Sequence, residues 1–542
     1  MKVRSGNAAR AERVVQVRAL GRAGALFLLL QAATPAGADG TENPWFTSGR
    51  QAVAEAKALA PAAGPAKNLI FFLGDGMGLT TVTAARILEG QLHGGPGEEN
   101  LLAFEHLPYV SLSKTYNANQ QTPDSAGTMV AIMTGAKTRA GVLGVDETVT
   151  RGDVAGVEGH RLRTLFEEAE ARGLATGVVT TTSVSHATPA ACYAHSPERG
   201  WEDDSRLSAA AREANFPDIA RQLVEFPDGD GLDVVLGGGR APFLPRSAED
   251  PEHPGKHGAR QDGRDLTAEW TAQRPNSAYV WNRAAFDAVR PTETDRLLGL
   301  FEPRHMRFEA DRAKDIAGEP SLAEMTAKAL TILSRNPRGF VLTVEGGRID
   351  HAHHQGNAYH ALTDTIAFSD AVRTALERTD PAETLVVVTA DHGHVLSMGG
   401  YSQRGNSILG KVAQTDKRGE PAGKLAKDSL GLPYTTLGYQ TGPGYTGASR
   451  EQPEGPKHIT RSVTGQQGIR KGRPDLTHVD TEAPSYLQEA VVPLRSETHS
   501  GEDVPVYAGG PGSHLFHGVQ EQSYLYHAMV EALGWKRAPE ER

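Results

Sequence analysis

The stretch Phe340-Val341-Leu342-Thr343-Val344-Glu345-Gly346-Gly347-Arg348-Ile349-Asp350-His351-Ala352-His353-His354 decides how this chain folds. Its apolar start is typical of a buried strand, and its two glycines mark a sharp turn. If the chain turns helical after the glycines, Asp350 and His354 lie on one helix face and can reach a single metal ion. Glu345, before the turn, can serve a different ion. A histidine-rich run is often only a solvated surface, but the apolar strand favours a metal site instead.

Three other apolar runs end in side chains of the same kind. They are 68–73 before Gly74-Asp75-Gly76, 175–182 before Ser185-His186-Ala187-Thr188, and 385–389 before Asp391-His392. Amphipathic stretches alternate with these runs, and one of them carries the capping box Ser321-x-x-Glu324. The alternation predicts an α/β fold with a large, mostly parallel central sheet flanked by helices on both faces. Ligands of such sheets bind outside the carboxyl ends of the strands, so we expect the endings to converge.

Ser125 is the candidate nucleophile. It follows Pro123-Asp124 and precedes an apolar stretch that ends at Gly135, which predicts the N-terminus of a helix. The helix dipole and the unpaired amides there favour an anion, either a phosphate or the serine alkoxide. Ordinary N-capping explains the motif equally well when it is taken alone. A neighbouring zinc ion would tip the balance, because it can hold a serine deprotonated.

Composition and charge restrict the class of protein. A chain of 542 residues with 39% hydrophobic content can hold one very large soluble domain or two to three ordinary ones. Residues 1–38 have the basic, apolar and small-residue order of an export signal, and their removal changes the net charge from −10 to about −15. We therefore expect an exported protein that binds no nucleic acid. Its single cysteine, Cys192, excludes an intrachain disulfide.

Two segments interrupt the alternation of strands and helices. Residues 243–320 and 401–495 are rich in Pro, Gly and polar residues, and we interpret both as insertions into one domain spanning 39–542. A short helix is predicted over residues 44–60, ahead of the first strand. The remainder of the mature sequence contains no apolar stretch of membrane-spanning length, and the charged C-terminus shows no lipid-anchor signal.

From about residue 44 to about residue 534 the sequence resembles the alkaline phosphatase family, in wording closer to the vertebrate tissue-type enzymes than to the shorter bacterial ones. The motifs that carry the resemblance are Gly-Asp-Gly-Met-Gly at 74–78, Pro-Asp-Ser at 123–125, His-Ala-Thr-Pro at 186–189, Val-Glu-Gly-Gly-Arg-Ile-Asp-His at 344–351, Thr-Ala-Asp-His at 389–392 and Glu-Thr-His at 497–499.

The resemblance implies two zinc ions and one magnesium ion in each chain. The implied ligands are Asp350, His354 and His499 for the first zinc, Asp391, His392, Asp75 and the Ser125 oxygen for the second, and Asp75, Thr188 and Glu345 for magnesium. Mixed nitrogen and oxygen ligands suit zinc, and an all-oxygen set suits magnesium. It also implies that Arg199 binds phosphate and that His186 and His351 neighbour the metal ligands without being ligands.

An additional calcium site is implied by the vertebrate members. Its ligands would be Glu252, Glu302 and the carbonyl oxygen of Phe301, with Glu319 at the position where an aspartate is usual. The loop before Glu319 is longer here by about two residues than in the family, a departure from its pattern.

The implied activity is hydrolysis of phosphate monoesters of broad specificity through a phosphoserine intermediate, in an exported, periplasmic or extracellular homodimer. Residues 401–495 would form a crown-type region at the subunit interface. Two alternatives stay open at this point. One is a phosphodiesterase or sulfatase of the same superfamily, and the other is a catalytically inactive metal-binding secreted protein.

Overall fold

The computed structural model describes residues 44–428, 431–447, 457–458 and 474–535, so the predicted export signal lies outside the described residues. The chain divides into two compact units, 1–59 and 60–542. Of the first unit, the described part is helix α1, Pro44–Ala58, which confirms the predicted helix and has no buried residue. Among the helices that the structure describes, none combines the length and the apolar character needed to cross a membrane.

The second unit contains all the described strands and the remaining helices. The strands are β1 Asn68–Leu73, β2 Tyr109–Lys114, β3 Ala175–Ser183, β4 Val234–Gly238, β5 Ser277–Val280, β6 Arg296–Leu300, β7 Phe340–Glu345, β8 Thr384–Thr389, β9 Gly393–His394, β10 Leu396–Met398, β11 Ala413–Thr415, β12 Pro421–Leu425, β13 Leu437–Gly442, β14 Lys457–His458, β15 Tyr486–Leu487, β16 Ala490–Pro493, β17 His499–Ser500, β18 Val504–Gly509 and β19 Gly518–Glu521.

The α-helices of this unit vary from one turn to six turns. They are α2 Leu79–Leu92, α3 Ser125–Thr134, α4 Leu165–Ala171, α5 Ala187–Ala190, α6 Ala209–Glu213, α7 Ile219–Val224, α8 Leu266–Ala272, α9 Arg283–Ala288, α10 Glu309–Arg312, α11 Leu322–Leu333, α12 Arg348–His354, α13 Ala358–Arg378 and α14 Tyr524–Ala532. Short 3-10 turns occupy Ala103–His106, Ala155–Val157, Asp204–Arg206, Ala241–Phe243 and Ser513–Leu515.

The main sheet has ten strands in the order β19-β2-β18-β8-β1-β7-β3-β4-β6-β5. Its pairs are parallel except those that β18 makes with β2 and β8. Successive residues of β1 point to opposite faces, so Ile70 and Phe72 pack in one apolar cluster while Leu69, Phe71 and Leu73 pack in the other. Helices α2, α11 and α13 contribute to the first cluster, and α3, α4 and α14 to the second. The predicted α/β fold with a central, mostly parallel sheet is confirmed.

Local sequence signals mark where two of the helices begin. The hydroxyl of Ser321 accepts the Glu324 amide and the Glu324 carboxylate accepts the Ser321 amide, which is the predicted capping box of α11. Helix α4 begins at the same kind of capping box, in which Thr164 and Glu167 make the reciprocal bonds. The segment 243–320 contributes β5 and β6, which extend the main sheet at one edge. The described parts of 401–495 form separate small sheets.

Candidate metal centre

Four neighbouring strands of the main sheet bring the candidate ligands together. Strands β8, β1, β7 and β3 are adjacent and parallel, and Leu73 of β1 pairs with Thr389 of β8 and with Glu345 of β7. Glu345 is the last residue of β7, and Asp75 and Asp391 each follow the last residue of their strand, β1 or β8, by two positions. The carboxyl ends of parallel strands meet at one edge of the sheet, so residues hundreds of positions apart in sequence share one site.

The first cluster contains Asp350, His354 and His499. Oδ1 of Asp350 lies 3.4 Å from Nε2 of His354 and 3.3 Å from Nε2 of His499, and the two Nε2 atoms are 3.1 Å apart. Nδ1 of His354 donates to the carbonyl oxygen of Glu497 at 2.7 Å, and Nδ1 of His499 donates to that of Pro123 at 2.8 Å. A neutral ring whose Nδ1 is protonated has a lone pair on Nε2. Two lone pairs and a carboxylate thus face one point, which is the donor set of a zinc site.

His394 and Glu497 complete this cluster, and the sequence analysis assigned no role to either. His394 donates from Nε2 to Oδ1 of Asp350 at 2.8 Å and from Nδ1 to Glu497 at 2.5 Å. Burial would lower the pKa of His394, but the two carboxylates raise it to about 10. Both nitrogens are engaged as donors, so His394 orients Asp350 instead of ligating an ion. The signal in the sequence is the run Asp391-His392-Gly393-His394, which sets a second imidazole two residues after His392.

The second cluster joins Asp75, Asp391 and His392 around Ser125. Oγ of Ser125 lies 3.1 Å from Nε2 of His392 and 3.4 Å from Oδ1 of Asp75, and Nε2 of His392 lies 3.2 Å from Oδ2 of Asp391. Burial and then the charge of Asp391 raise the pKa of Asp75 well above its usual range. Two buried carboxylates at such proximity need a cation between them or a proton on one of them.

The third cluster is built of oxygens from Asp75, Glu345 and Thr188. Oγ1 of Thr188 lies 3.4 Å from Oδ2 of Asp75. Oε2 of Glu345 accepts from the hydroxyls of Thr180 and Thr182, while its buried Oε1 has no hydrogen-bond partner within the described part of the chain. Burial raises the pKa of Glu345 to about 7. An unpartnered carboxylate oxygen among oxygen ligands fits a magnesium ion.

Arg199 is held beside Ser125 by the residue that caps the serine's helix. Asp124 caps α3 by accepting the Gly127 amide, and its Oδ2 accepts from Nη1 of Arg199 at 3.0 Å. The side chain of Asn117 donates to the other oxygen of Asp124 at 2.9 Å. The Ser125 hydroxyl and the Arg199 guanidinium are thereby fixed relative to one helix N-terminus, a position that favours bound anions.

The sequence profile of the alkaline phosphatase family matches residues 66–535. The chain belongs to the alkaline phosphatase family. An alkaline phosphatase of Gadus morhua is 45% identical over 473 residues, which cover 86% of this chain and 91% of that protein. The tissue-nonspecific isozyme of Gallus gallus is 45% identical over 474 residues, covering 86% and 84% of the two chains. The crystal structure of Thermus thermophilus alkaline phosphatase matches with a TM-score of 0.59 at 27% identity, covering 88% of this chain and 93% of that chain. As an alkaline phosphatase, this chain is a metal-dependent phosphate monoester hydrolase.

A separate acidic cluster lies in the region from which the family resemblance implied calcium ligands. Glu252 accepts from Arg240 at 3.0 Å, and Glu302, which directly follows Phe301, contacts His253 at 3.1 Å and Arg307 at 2.8 Å. Oε1 of Glu319 accepts the Arg307 amide at 2.8 Å, while its Oε2 is buried without a partner among the described residues. Burial and then the charges of Asp315 and Glu302 raise the pKa of Glu319 to about 8.

Asp315 is the member of this alkaline phosphatase's acidic cluster that the sequence analysis missed. Its side chain is 0% exposed, and neither of its oxygens makes a hydrogen bond within the described residues. It raises the pKa values of both Glu252 and Glu319. The signal in the sequence is the position of Asp315 in the loop that leads to Glu319, four residues before it.

Replacement of His394 tests its role in orienting Asp350. We expect His394→Gln to weaken zinc binding about tenfold to a hundredfold, the usual cost of losing a residue that orients a metal ligand. The measurement is zinc retained per chain after dialysis against graded chelator, by elemental analysis. His527→Gln, at an exposed histidine, is the matched control. Zinc retention equal to the wild type in His394→Gln would contradict the assignment.

Proposed function

We propose that this alkaline phosphatase hydrolyses phosphate monoesters of many alcohols through a covalent intermediate on Ser125. The observation that carries the proposal is the position of the Ser125 hydroxyl, at a helix N-terminus and within 3.5 Å of both His392 and Asp75. The helix N-terminus favours an anion at Ser125, so this serine is suited to become an alkoxide once cations offset the neighbouring carboxylates.

The reaction divides into two displacements at phosphorus. In the first, Oγ of Ser125 forms a bond to phosphorus while the bond from phosphorus to the alcohol oxygen breaks. In the second, a water oxygen displaces Oγ, which releases inorganic phosphate and restores the serine. The Arg199 guanidinium donates its paired N–H groups to phosphoryl oxygens, and its bond to Asp124 fixes its plane before the substrate arrives.

Three groups of residues would hold metal ions in this scheme. The proposed ligands are Asp350, His354 and His499 for one zinc, Asp75, Asp391 and His392 for a second, and Asp75, Thr188 and Glu345 for a magnesium. The fit rests on converging lone pairs at the first site, on opposed buried carboxylates at the second and on an unpartnered oxygen at the third. When bound, these ions lower the pKa of the serine hydroxyl and of water and neutralise phosphoryl charge.

Broad specificity follows from what the proposed groups recognise. The proposed contacts with substrate, made by Ser125, Arg199 and the ligand clusters, are all with the phosphoryl group. None of these proposed roles involves the alcohol. The sulfatase alternative is weaker because Cys192 is fully buried and burial raises its pKa to about 12, so this thiol is inert.

The serine and the metals can be tested together. We expect Ser125→Ala to lower kcat for a chromogenic monoester by at least about a thousandfold, because nucleophilic attack is lost. Chelation of the wild type should abolish turnover, and zinc with magnesium should restore it. Ser334→Ala, at an exposed serine, is the control. Wild-type activity in Ser125→Ala or after chelation would refute the mechanism, and turnover restricted to diesters would favour the phosphodiesterase alternative.

We also propose calcium binding by the acidic cluster, with Asp315 added to the ligands Glu252, Glu302, the Phe301 carbonyl and Glu319. The support is that buried carboxylate oxygens of Glu252, Asp315 and Glu319 have no hydrogen-bond partner among the described residues. Hard oxygen donors in this number suit Ca²⁺.

Calcium should raise the melting temperature of the zinc-loaded protein, since binding at a hundredfold excess over Kd stabilises by about 2.7 kcal/mol. Asp315→Asn should remove this response without lowering the calcium-free melting temperature, because it also relieves repulsion among buried carboxylates. Differential scanning calorimetry measures both quantities. Asp287→Asn, at an exposed aspartate, is the control, and an unchanged calcium response in Asp315→Asn would count against its role.

A homodimer and an exported location complete the proposal. Tyr401 is 94% exposed, and Val491 and Val492 of the neighbouring small sheet are also exposed, which supports a subunit interface in 401–495. Helix α1, with Trp45 and Phe46 exposed, is the proposed arm to the second subunit. Sedimentation velocity should give twice the chain mass for the wild type and a shift toward monomer for Tyr401→Asp. A monomeric wild type would exclude the dimer.

A further inference from the structure

The side chain of Arg307 reaches into the acidic cluster for which calcium binding is proposed above. Its Nε lies 2.8 Å from Oε1 of Glu302 and 3.7 Å from Oδ1 of Asp315. The two carboxylates are buried, with 8% of the Glu302 side chain and 0% of the Asp315 side chain exposed, whereas the Arg307 side chain is 45% exposed. A guanidinium from the protein surface therefore supplies positive charge to a buried group of carboxylates.

The contact between Arg307 and Glu302 is a contact of opposite charges without an aligned hydrogen bond. Although Nε of Arg307 is 2.8 Å away, Oε1 of Glu302 has no hydrogen-bond partner among the described residues, and neither has either oxygen of Asp315. A hydrogen bond weakens steeply when the N–H group points away from the acceptor. The guanidinium is therefore held by charge, and the carboxylate oxygens next to it keep their capacity to bind another cation.

Another arginine at the cluster, Arg240, is bound in a different way. Its Nη2 donates to Glu252 at 3.0 Å, and its Nε and Nη2 donate to the two oxygens of Asp250 at 2.9 Å each. The Arg240 side chain is 0% exposed. This bidentate, fully buried arrangement makes Arg240 a fixed part of the structure. Arg307 has neither the burial nor the alignment, so its side chain can withdraw into solvent.

The backbone of Arg307 is anchored independently of its side chain. Its amide donates to Oε1 of Glu319 at 2.8 Å, while Oε2 of Glu319 is buried without a partner within the described part of the chain. A movement of the guanidinium therefore leaves the amide in place. For the same reason a substitution at position 307 removes the charge from the cluster and keeps the hydrogen bond to Glu319.

We propose that the Arg307 guanidinium is the counter-ion of this cluster in the calcium-free protein and withdraws into solvent when calcium binds. This inference rests on the calcium site of the proposed function. The single charge of Arg307 offsets the buried carboxylates only in part, whereas Ca²⁺ brings two charges and takes six to eight oxygen ligands. The two cations compete for the same oxygens. Arg307 thus stabilises the calcium-free protein and lowers its affinity for calcium.

The experiment measures calcium binding to protein loaded with zinc and magnesium and freed of calcium, by isothermal titration calorimetry with calcium chloride. We expect Arg307→Gln to lower the Kd for calcium about fivefold, the factor that corresponds to a strong, partly exposed ion pair. Arg307→Lys retains the competing charge and should stay within about twofold of the wild type. Arg304→Gln, which removes an equal charge from an exposed arginine of the same loop, is the matched control and should also stay within about twofold.

The melting temperature measures the other half of the competition. Without calcium, Arg307→Gln should melt at a lower temperature than the wild type, because the buried carboxylates lose their counter-ion. At saturating calcium the difference should close, since the ion then replaces the guanidinium in both proteins. Differential scanning calorimetry at both calcium levels gives these values. Arg307→Met, which removes the charge and keeps an unbranched side chain, takes the place of Arg307→Gln if that variant does not fold.

The direction of the change in affinity decides the inference. A residue that only supports the shape of the site would weaken calcium binding when it is lost. A Kd for Arg307→Gln equal to or higher than that of the wild type would therefore overturn the inference and leave the calcium site standing. A Kd for Arg307→Lys as low as that for Arg307→Gln would also overturn it, because charge would then not be what competes. Absence of calcium binding from the wild type and from every variant would refute the proposed calcium site and the inference with it.

Discussion

The repulsion among buried carboxylates at one edge of the sheet is the constraint on which the rest of the site depends. Asp75, Glu345 and Asp391 are fully buried. The negative charge of at least one neighbouring carboxylate raises the pKa of each of them. Removing charges from water costs several kcal/mol per ion unless opposite charge compensates. The apolar clusters on both faces of the sheet hold these residues in place in spite of that cost. Bound cations convert the same repulsion into affinity, which is why a fold of this kind can concentrate so much negative charge.

At the two glycine turns the backbone passes close to the side chains of the site. This close approach makes the concentration of negative charge possible. Gly76 has φ +71°, and a Cβ there would collide with the ring of His394. A Cβ on Gly347 would lie 2.8 Å from Oε1 of Glu345, the oxygen left without a partner. The glycines after β1 and β7 therefore do more than allow the chain to turn. Because they have no Cβ, they leave the volume in which the candidate ligand side chains and an ion fit. Larger residues would separate the strand ends from the helices that follow.

Sequence patterns predicted the elements and the candidate ligands that the structure brings together, because strand runs, caps and turns are local. Helical periodicity alone was enough to predict Asp350 and His354 as candidate ligands of one ion. For Asp75, its position after a strand was enough. His394 and Glu497 form their bond across 103 positions, and His305 meets Ser183 across 122. No periodicity specifies such a partner, since it depends on strand order and on how loops return. The same reason explains Asp315, whose neighbours come from two separate loops.

The histidines of this protein differ in role although they share one chemistry. His354 and His499 each donate a hydrogen bond from Nδ1 to a backbone carbonyl oxygen, which leaves the lone pair on Nε2 facing the first cluster. His305 and His351 accept a hydrogen bond at Nδ1 from an amide or a guanidinium, so each neutral ring carries its proton on Nε2. The partner of Nδ1 thus decides whether Nε2 offers a lone pair, which can ligate a cation, or an N–H, which can only donate. A motif rich in histidine therefore indicates a polar site but not its ligand. Partners that are distant in sequence, such as Glu497 for His354, Pro123 for His499 and Ser183 for His305, set which of the two each ring offers.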